Sequence, residues 1–359
     1  MLITPKFATN IYNQVNLNNR MSAPARYGNL APLSRDTVSF TSGKKDNDDP
    51  TDGVTWGVAK DIYNDAQPAQ RYLNRQLDCI LGDMIRPAHS KASLSNPIEI
   101  VRKRTKEPES IKEKSATRRL RSYDAVKKDM TDIVGARIVM ADTSVKAVDA
   151  VIDRITDAVS RGRLKIIEIE NYRPDPEMDR NGVITKSYDY ASPLALMKLK
   201  KAASEQANTT IKKTDEDRES GYVGIHMLVQ LPNGFTGEIQ IMGSEVEKFK
   251  EVEDKCFKVK YNKKLKKKYA AVEKQLKPLA NKDDEILQKE YNLYTRAAYL
   301  KQRQLEMDMA NPRKHVKPNQ EFLHIPDYLP EGLDFNNVAK TIKECDAKAV
   351  QDKSNDLTE

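Results

Sequence analysis

The stretch from Gly221 to Met242, GYVGIHMLVQLPNGFTGEIQIM, decides the fold of this protein. Residues 225–231 and 235–242 are two apolar-rich runs of strand length. Pro232-Asn233-Gly234 lies between them, and Asn-Gly between two strand patterns is typical of a tight hairpin turn. The stretch therefore predicts two strands paired side by side in one sheet.

Alternation along the second strand separates a core face from a polar face. Ile239 and Ile241 share one parity and anchor the strand in the core, whereas Glu238 and Gln240 share the other and are expected to face a cleft. A carboxylate in a cleft can accept a hydrogen bond or a proton from a bound ligand, although a strand glutamate standing alone more often simply faces solvent.

The residues before the first strand show the same alternation. Tyr222, Gly224 and His226 have one parity and are expected to point to one face. Gly224 leaves a gap beside the aromatic ring, where a purine could stack on Tyr222 with a contribution of roughly 1–3 kcal/mol. A strand tyrosine beside a histidine satisfied in the core is the competing interpretation.

Outward from the hairpin, strand and helix patterns alternate. Apolar side chains at steps of three and four predict a helix from Asp61 to about Met84, and others are expected at 145–159, around 194–207, from Ser244 in pieces to about Met309, and at 336–350. Strands are predicted at 133–140 and 164–169. The fold class is α/β (α+β), a mixed β-sheet flanked by helices.

Composition divides the chain into three parts. Residues 1–55 offer little apolar surface to offset the entropy of ordering and are predicted to form a flexible arm. Residues 56–275 are predicted to form the folded domain, and residues 276–359 a helical, partly flexible C-terminal extension.

Charge and cysteine usage bound the compartment and the partners. The net charge of +8 favours anionic partners, although a basic surface alone does not require one. Cys79, Cys256 and Cys345 lack metal-ligand spacing and are expected to be reduced thiols. No run approaches the roughly 20 apolar residues of a membrane helix, and no export signal is evident at the N-terminus. A cytoplasmic protein without membrane association is expected.

A basic signature precedes the first predicted strand. Arg104, Lys106, Ser110 and Lys114 lie at relative positions 0, 2, 6 and 10, and Pro108 fits the first turn of a helix that would start near Glu107. Ser110 and Lys114, four residues apart, would share a helix face. Convergent basic groups at a helix N-terminus can bind phosphate, whereas the spacing alone also fits a solvated basic helix.

A carboxylate and an arginine bracket the next strand. Asp132 stands at its entrance, where it could hold Mg²⁺ together with substrate phosphates, or simply occupy a turn. Arg137 could neutralise phosphate charge or pair with an acid.

These four signatures, in this order, resemble the synthetase domain of the RelA/SpoT family, which makes the alarmones ppGpp and pppGpp. The resemblance covers roughly Trp56 to Tyr269. It implies a nucleotidyltransferase-like fold and a Mg²⁺-dependent transfer of pyrophosphate from ATP to the 3′-hydroxyl of GDP or GTP, with release of AMP.

The resemblance also implies a role for each matching residue. ATP would be bound by the basic signature and Arg137, and the acceptor by Tyr222 under its guanine, by His226 near its phosphates or sugar, and by Gln240. Asp132 and Glu238 would hold the metal, and Glu238 would also activate the acceptor hydroxyl.

Three departures from the family pattern concern the acceptor side. Ser220-Gly221-Tyr222-Val223-Gly224 stands where relatives commonly carry Asn-Gly-Tyr-Arg-Ser, Met242-Gly243 replaces Arg-Thr, and Glu170-Asn171-Tyr172 replaces Lys-Asp-Tyr. Two or three positive charges expected near the acceptor phosphates are therefore missing. The eight lysines from Lys255 to Lys268 could compensate, or could bind a larger anion such as RNA.

Two other functions stay open on the sequence alone. One is a toxin-type pyrophosphotransferase that acts on the tRNA 3′ end or on adenosine nucleotides. The other is a catalytically silent nucleotide- or RNA-binding module. Homo-oligomerisation and an antitoxin partner are likewise left open.

Overall fold

A mixed six-stranded sheet forms the centre of the part of the chain that the computed structural model describes, residues 53–181, 183–261, 267–276, 284–311, 313–314 and 335–355. The strands are β1 (Ile98–Thr105), β2 (Val134–Met140), β3 (Lys165–Tyr172), β6 (Lys212–Glu216), β7 (Gly224–Gln230) and β8 (Thr236–Gly243). A separate two-stranded hairpin consists of β4 (Glu177–Met178) and β5 (Ile184–Lys186).

The large sheet has the order β1-β2-β8-β7-β3-β6. β2 pairs with β8 and β3 with β6 in parallel, and the other neighbours are antiparallel. The predicted hairpin is β7–β8, and its turn places Asn233 and Gly234 at φ 68° and 74°. Asparagine and glycine tolerate this left-handed region, which is why the turn forms here. The expectation of a mixed sheet flanked by helices is confirmed.

Nine helices accompany the sheet in the described residues. They are α1 (Trp56–Leu81), α2 (Pro108–Thr117), α3 (Tyr123–Asp129), α4 (Val145–Ser160), α5 (Pro193–Ala207), α6 (Ser244–Tyr261), α7 (Ala270–Leu276), α8 (Asp284–Ala310) and α9 (Phe335–Asn355). α1 and α5 contact the sheet, and α4 packs against both of them. The side chains buried beneath this helical layer include Val134, Ile138, Ile239 and Ile241.

The two edge strands of the sheet, β1 and β6, are absent from the sequence-based prediction. β6 reads Lys-Lys-Thr-Asp-Glu, and β1 carries Glu99, Arg102, Lys103 and Arg104 among its eight residues. Edge strands are often charged because charge discourages pairing with another chain, so they lack the apolar pattern that identifies a central strand.

The predicted N-terminal arm lies outside the described residues, except for its last three positions. In the region assigned to a C-terminal extension, α8 packs along α6, and α9 contacts α6 and α7. None of the described helices combines the length and apolar character needed to cross a membrane.

Candidate active site

One face of the sheet gathers the polar side chains that the sequence singles out. Arg104 is paired in register with Gly135, Gly135 with Glu238, Arg137 with Gln240, and Gln240 with His226. Because paired residues on neighbouring strands point to the same face, the side chains of Arg104, Arg137, Glu238, Gln240 and His226 share one surface.

Asp132 lies two residues before β2 and is held by two lysines. Its Oδ2 is 2.7 Å from Lys106 Nζ and 2.9 Å from Lys114 Nζ. Lys106 follows β1, where its backbone N–H bonds to the carbonyl of Ile133, and Lys114 projects from α2. Burial opposes ionisation of Asp132, but the two ammonium groups outweigh it and hold the pKa of Asp132 well below its usual range.

The other oxygen of this carboxylate, Asp132 Oδ1, is buried and has no hydrogen-bond partner within the described residues. A buried acceptor left unpaired costs free energy, on the order of 1–3 kcal/mol. The geometry therefore offers one free carboxylate oxygen to a ligand or a cation.

The remaining members of the basic signature stand around this cluster. α2 begins at Pro108, as predicted, so Ser110 lies in its first turn, and both Ser110 and Arg104 are exposed. The structure thus brings Lys106 and Lys114 together on Asp132 and leaves Arg104 and Ser110 at the surface. The roles of Arg104, Lys106, Ser110 and Lys114 in binding ATP stay predictions.

Glu238 is bonded through both of its oxygens. Its Oε1 lies 2.7 Å from His226 Nδ1, and its Oε2 accepts a 2.7 Å hydrogen bond from Gln240 Nε2. Burial raises the pKa of Glu238, but His226 and Gln240 together outweigh burial and lower it to about 2. The carboxylate is therefore ionised and fixed in orientation.

A polar chain runs from Gln240 to Arg137 and then, through Glu247, to Arg102, and sequence reasoning missed both Glu247 and Arg102. Arg137 Nε donates to Gln240 Oε1 (3.1 Å), and Arg137 and Arg102 both contact the carboxylate of Glu247, at 3.5 and 2.7 Å. Glu247 is buried in the first turn of α6. Arg102 and Arg104 lie two residues apart on β1 and therefore point to the same face, a pattern that could have identified Arg102 as a site residue from the sequence. No feature of the sequence near Glu247 indicates its partners.

Tyr222 lies behind His226, at the inner side of the site. Its hydroxyl is 2.8 Å from His226 Nε2, and Tyr222 as a whole is 4% exposed. A Cβ added to Gly224 would lie 2.7 Å from that hydroxyl, so the gap expected beside Gly224 holds the Tyr222 hydroxyl itself. Burial raises the pKa of Tyr222 to about 12. The predicted stacking of a guanine on this ring remains a prediction.

Two cations that the sequence did not single out lie close to Tyr222. Lys250 Nζ is 4.8 Å from the centre of its ring, and the Arg218 guanidinium is 5.8 Å from it and 3.8 Å from the ring of Tyr172. The surroundings of Tyr222 therefore carry positive charge, although the basic residues common in the family pattern are missing from the sequence there.

Two members of the lysine run are paired away from the site. Lys255 and Lys268 contact Asp346 of α9 at 3.0 and 2.6 Å. This arrangement gives both side chains a structural partner in the C-terminal helix.

A magnesium ion fits the donor chemistry only in part. No three His, Cys, Asp or Glu side chains in the described part of the chain are grouped so that they could hold a metal ion. Mg²⁺, however, is commonly bound through one or two carboxylates plus substrate phosphates, and Asp132 Oδ1 is an unpaired buried oxygen.

The comparison with protein families identifies the central region. Residues 103–266 match the model described as "Region found in RelA / SpoT proteins". The chain therefore contains a RelA/SpoT synthetase domain, and the resemblance inferred from its motifs is confirmed. Asp132, Glu238 and every other site residue predicted from the sequence lie inside the matched range.

Two solved structures are similar at low identity. The small alarmone synthetase 1 from Bacillus subtilis bound to its product pppGpp is 17% identical, with 70% of this chain and 95% of that chain covered and a TM-score of 0.36. Another structure of the same synthetase gives 17% identity, 71% and 94% coverage, and a TM-score of 0.37. At such TM-scores neither likeness bears on the ligand of this chain. No curated protein matches the sequence significantly.

Proposed function

We propose that this protein is a Mg²⁺-dependent pyrophosphotransferase that moves the β,γ-pyrophosphate of ATP to the 3′-hydroxyl of GDP or GTP and releases AMP. The observation that carries the proposal is the Glu238 carboxylate. It is ionised, held through both oxygens by His226 and Gln240, and placed on the polar face of a RelA/SpoT domain.

The donor side is assigned to the basic signature. Lys106 and Lys114 form a positive pair around Asp132, and Arg104, Ser110 and Arg137 lie on adjoining elements. Phosphoryl-group transfer depends chiefly on positioning and on neutralising phosphate charge, which a set of this kind supplies. Asp132 and Glu238 would hold the Mg²⁺ ion, which when bound neutralises charge on the phosphates.

Glu238 is assigned to the acceptor hydroxyl. Each of its oxygens accepts one hydrogen bond within the described site and keeps a second lone pair, which leaves one for the ribose hydroxyl and one for the metal. As the bond from the 3′-oxygen to the β-phosphorus forms and the bond from that phosphorus to the α,β-bridging oxygen breaks, the hydroxyl proton passes to Glu238. His226 and Gln240, with Tyr222 behind them, make up the acceptor side.

An assay with γ-labelled ATP tests the proposal. The protein and Mg²⁺ are incubated with GDP, GTP, ADP or deacylated tRNA in separate reactions, and the products are separated by chromatography. We expect label in GDP or GTP, equimolar AMP, and loss of both in Glu238→Gln. Glu99→Gln, which changes an exposed glutamate of β1 in the same way, is the matched control.

Each other outcome redirects the assignment. Label in tRNA or ADP alone would replace the guanine nucleotide as acceptor. Measurable ATP binding without AMP release in any reaction would indicate a silent nucleotide-binding module and would overturn the proposal.

A further inference from the structure

Glu247 joins two arginines that lie opposite each other on neighbouring strands. Its Oε1 is 2.7 Å from Arg102 Nε and 3.5 Å from Arg137 Nη1, and its Oε2 accepts a second hydrogen bond from Arg102, at 3.3 Å. We propose that Glu247 is a positioning residue, which fixes the Arg137 guanidinium on the polar face of the sheet in the orientation that binds ATP. This inference rests on the proposed function, because it specifies how that site prepares its donor half.

The register of the sheet explains why a carboxylate is needed between these arginines. Arg102 of β1 is the cross-strand partner of Arg137 of β2, so both side chains point to the same face. Like charges placed directly opposite each other on two strands are destabilising. One carboxylate that contacts both guanidinium groups offsets this repulsion. Without it, repulsion and the rotamer freedom of a long side chain would spread Arg137 over several orientations.

A second contact constrains Arg137 from another side. Its Nε donates to Gln240 Oε1 at 3.1 Å, and Gln240 Nε2 donates to Glu238 Oε2 at 2.7 Å. The amide of Gln240 is thus bonded at both ends and cannot turn freely. Glu247 and Gln240 together engage two of the five N–H groups that a guanidinium carries, so Arg137 can be held along one edge and still bind a phosphate through another.

The position of Glu247 is itself fixed by the fold. Its side chain is 5% exposed and lies in the first turn of α6, which begins at Ser244 directly after β8. Because β8 also carries Gln240, one continuous segment of backbone supplies both contacts to Arg137. Arg137 is therefore ordered when the protein folds, and less conformational entropy is lost when ATP binds.

The two arginines differ in exposure and in their geometry toward Glu247. The side chain of Arg102 is 51% exposed, whereas that of Arg137 is 16% exposed. Arg102 bonds both carboxylate oxygens, the bidentate geometry that gives the strongest arginine–carboxylate pairs. Arg137 makes the longer contact and also reaches Gln240. Arg102 therefore holds Glu247, and Glu247 orients Arg137.

Replacement of Glu247 by glutamine tests this role with little change in side-chain volume. Binding of α,β-methylene-ATP with Mg²⁺ to the full-length protein is measured by isothermal titration calorimetry. We expect its Kd to rise roughly tenfold, which lies within the range of coupling between residues of one hydrogen-bond network. In the labelling assay the KM for ATP should also rise. The KM for the acceptor should change by less than about twofold, because Glu238 keeps its contacts with His226 and Gln240.

Glu245→Gln is the matched control. Glu245 lies in the same turn of α6 and is 2% exposed, but it bonds Lys248, at 2.6 Å, and not an arginine of the site. Both substitutions remove one negative charge from the N-terminal turn of α6, so they share any effect on the helix dipole. We expect the Kd of Glu245→Gln to stay near that of the wild type. Equal weakening in both variants would indicate a general effect on α6 and would overturn the positioning role.

A double-mutant cycle tests whether Glu247 acts through Arg137. Arg137→Met should itself weaken binding of the analogue, and Glu247→Gln in that background should add no further weakening. A full additional loss in the double variant, or an unchanged Kd in either single variant, would overturn the inference.

Melting curves establish that each variant folds. If Glu247→Gln does not fold, Glu247→Asp takes its place, because it keeps the negative charge and withdraws the carboxylate from the 3.5 Å contact with Arg137. Binding of the analogue should again weaken, and an unchanged Kd in Glu247→Asp would overturn the positioning role.

Binding of the analogue does not require turnover, so this inference and the proposed function can fail separately. If the wild type binds the analogue but transfers no label to any acceptor, the proposed function fails, while the comparison of Glu247→Gln with Glu245→Gln still stands. If Glu247→Gln transfers label normally and binds the analogue as the wild type does, the proposed function survives and the positioning role is overturned. A wild type that does not bind the analogue would overturn both.

Discussion

The carboxylates of Asp132 and Glu306 lie in two buried ionic clusters whose hydrogen bonding differs in completeness. Glu306 of α8 joins that helix to the start of α6. Its Oε1 accepts from the backbone N–H of Val246 (2.9 Å), and its Oε2 accepts from the Tyr190 hydroxyl (2.7 Å) and from Arg303 (3.3 Å). Asp132 instead bonds both of its lysines through Oδ2, and its buried Oδ1 lacks a partner among the described residues.

The two carboxylates also differ in how far their side chains are exposed to solvent. The side chains of Glu306 and Arg303 are each 2% exposed, and Arg303 also donates to the carbonyls of Tyr188 and Asp189. The side chain of Asp132 is 22% exposed. The sealed cluster, whose hydrogen bonds are complete, serves the packing of α8, whereas a partly exposed carboxylate with one unpaired oxygen is suited to a ligand.

The largest expected effect is on stability, at Glu306. Glu306→Ala should lower the free energy of unfolding by about 3–5 kcal/mol, because it leaves Arg303 buried without its carboxylate. Urea denaturation measures the change. A double variant, Arg303→Met with Glu306→Leu, should have a free energy of unfolding closer to that of the wild type, because it leaves no buried charge unpaired. A loss below about 1 kcal/mol in Glu306→Ala would show that the Glu306 cluster does not stabilise the packing of α8.

The next effect is on turnover, at the two site carboxylates. Asp132→Asn and Glu238→Gln should each lower pyrophosphate transfer by about 10²–10⁴-fold, while their melting curves stay cooperative. The physical reason is the loss of a negative charge at the reacting groups with little change in side-chain volume. Near-normal turnover in either variant, measured as AMP release, would remove that residue from the proposed mechanism.

The lysines around Asp132 should show a smaller effect, directed at the donor. Lys114→Ala removes one of the two ammonium groups at Asp132 and, in the proposed site, one charge-assisted hydrogen bond to an ATP phosphate. Such a bond typically contributes about 1.5–3 kcal/mol, so ATP binding should weaken by roughly ten- to a hundredfold. Lys112→Ala, an exposed lysine on the same helix, is the control. Equal weakening in both variants would show that only the general charge of α2 matters.

The smallest effect is expected at Asp346, which also pairs with two lysines, but at the surface. Its side chain is 37% exposed, and Asp346→Asn should cost no more than about 1 kcal/mol. Although burial opposes it, hydrogen bonds from Lys268, Tyr269 and Lys255 lower the pKa of Asp346 from 3.8 to about 2. This contribution is therefore present above pH 4 and is lost as the pH falls through about 2. Urea titrations of the wild type and Asp346→Asn at pH 7 and pH 3 measure this contribution. The wild type should lose part of its advantage in the free energy of unfolding at pH 3, and a larger advantage at pH 3 would contradict the prediction.

Local sequence was sufficient for much of the site. The parity of Glu238 and Gln240 against Ile239 and Ile241 assigned one pair to the polar face and the other to the core, as the burial of both isoleucines confirms. Asn-Gly predicted the turn, and Pro108 predicted the start of α2. Such features are set by residues a few positions apart, whose backbone preferences do not depend on distant parts of the chain.

Tertiary structure alone decided which side chains meet. Glu247 contacts Arg102 across 145 residues, and Tyr190 meets Glu306 across 116, so neither pair has a local signal. The enclosure of Tyr222 likewise depends on α8, which packs against Gly221 and carries Tyr299 to the ring. The sequence by itself determined the strand faces and the helix starts, because these follow from alternation and capping. Sheet register and helix docking determined the rest, because they depend on the summed packing of elements far apart in the chain.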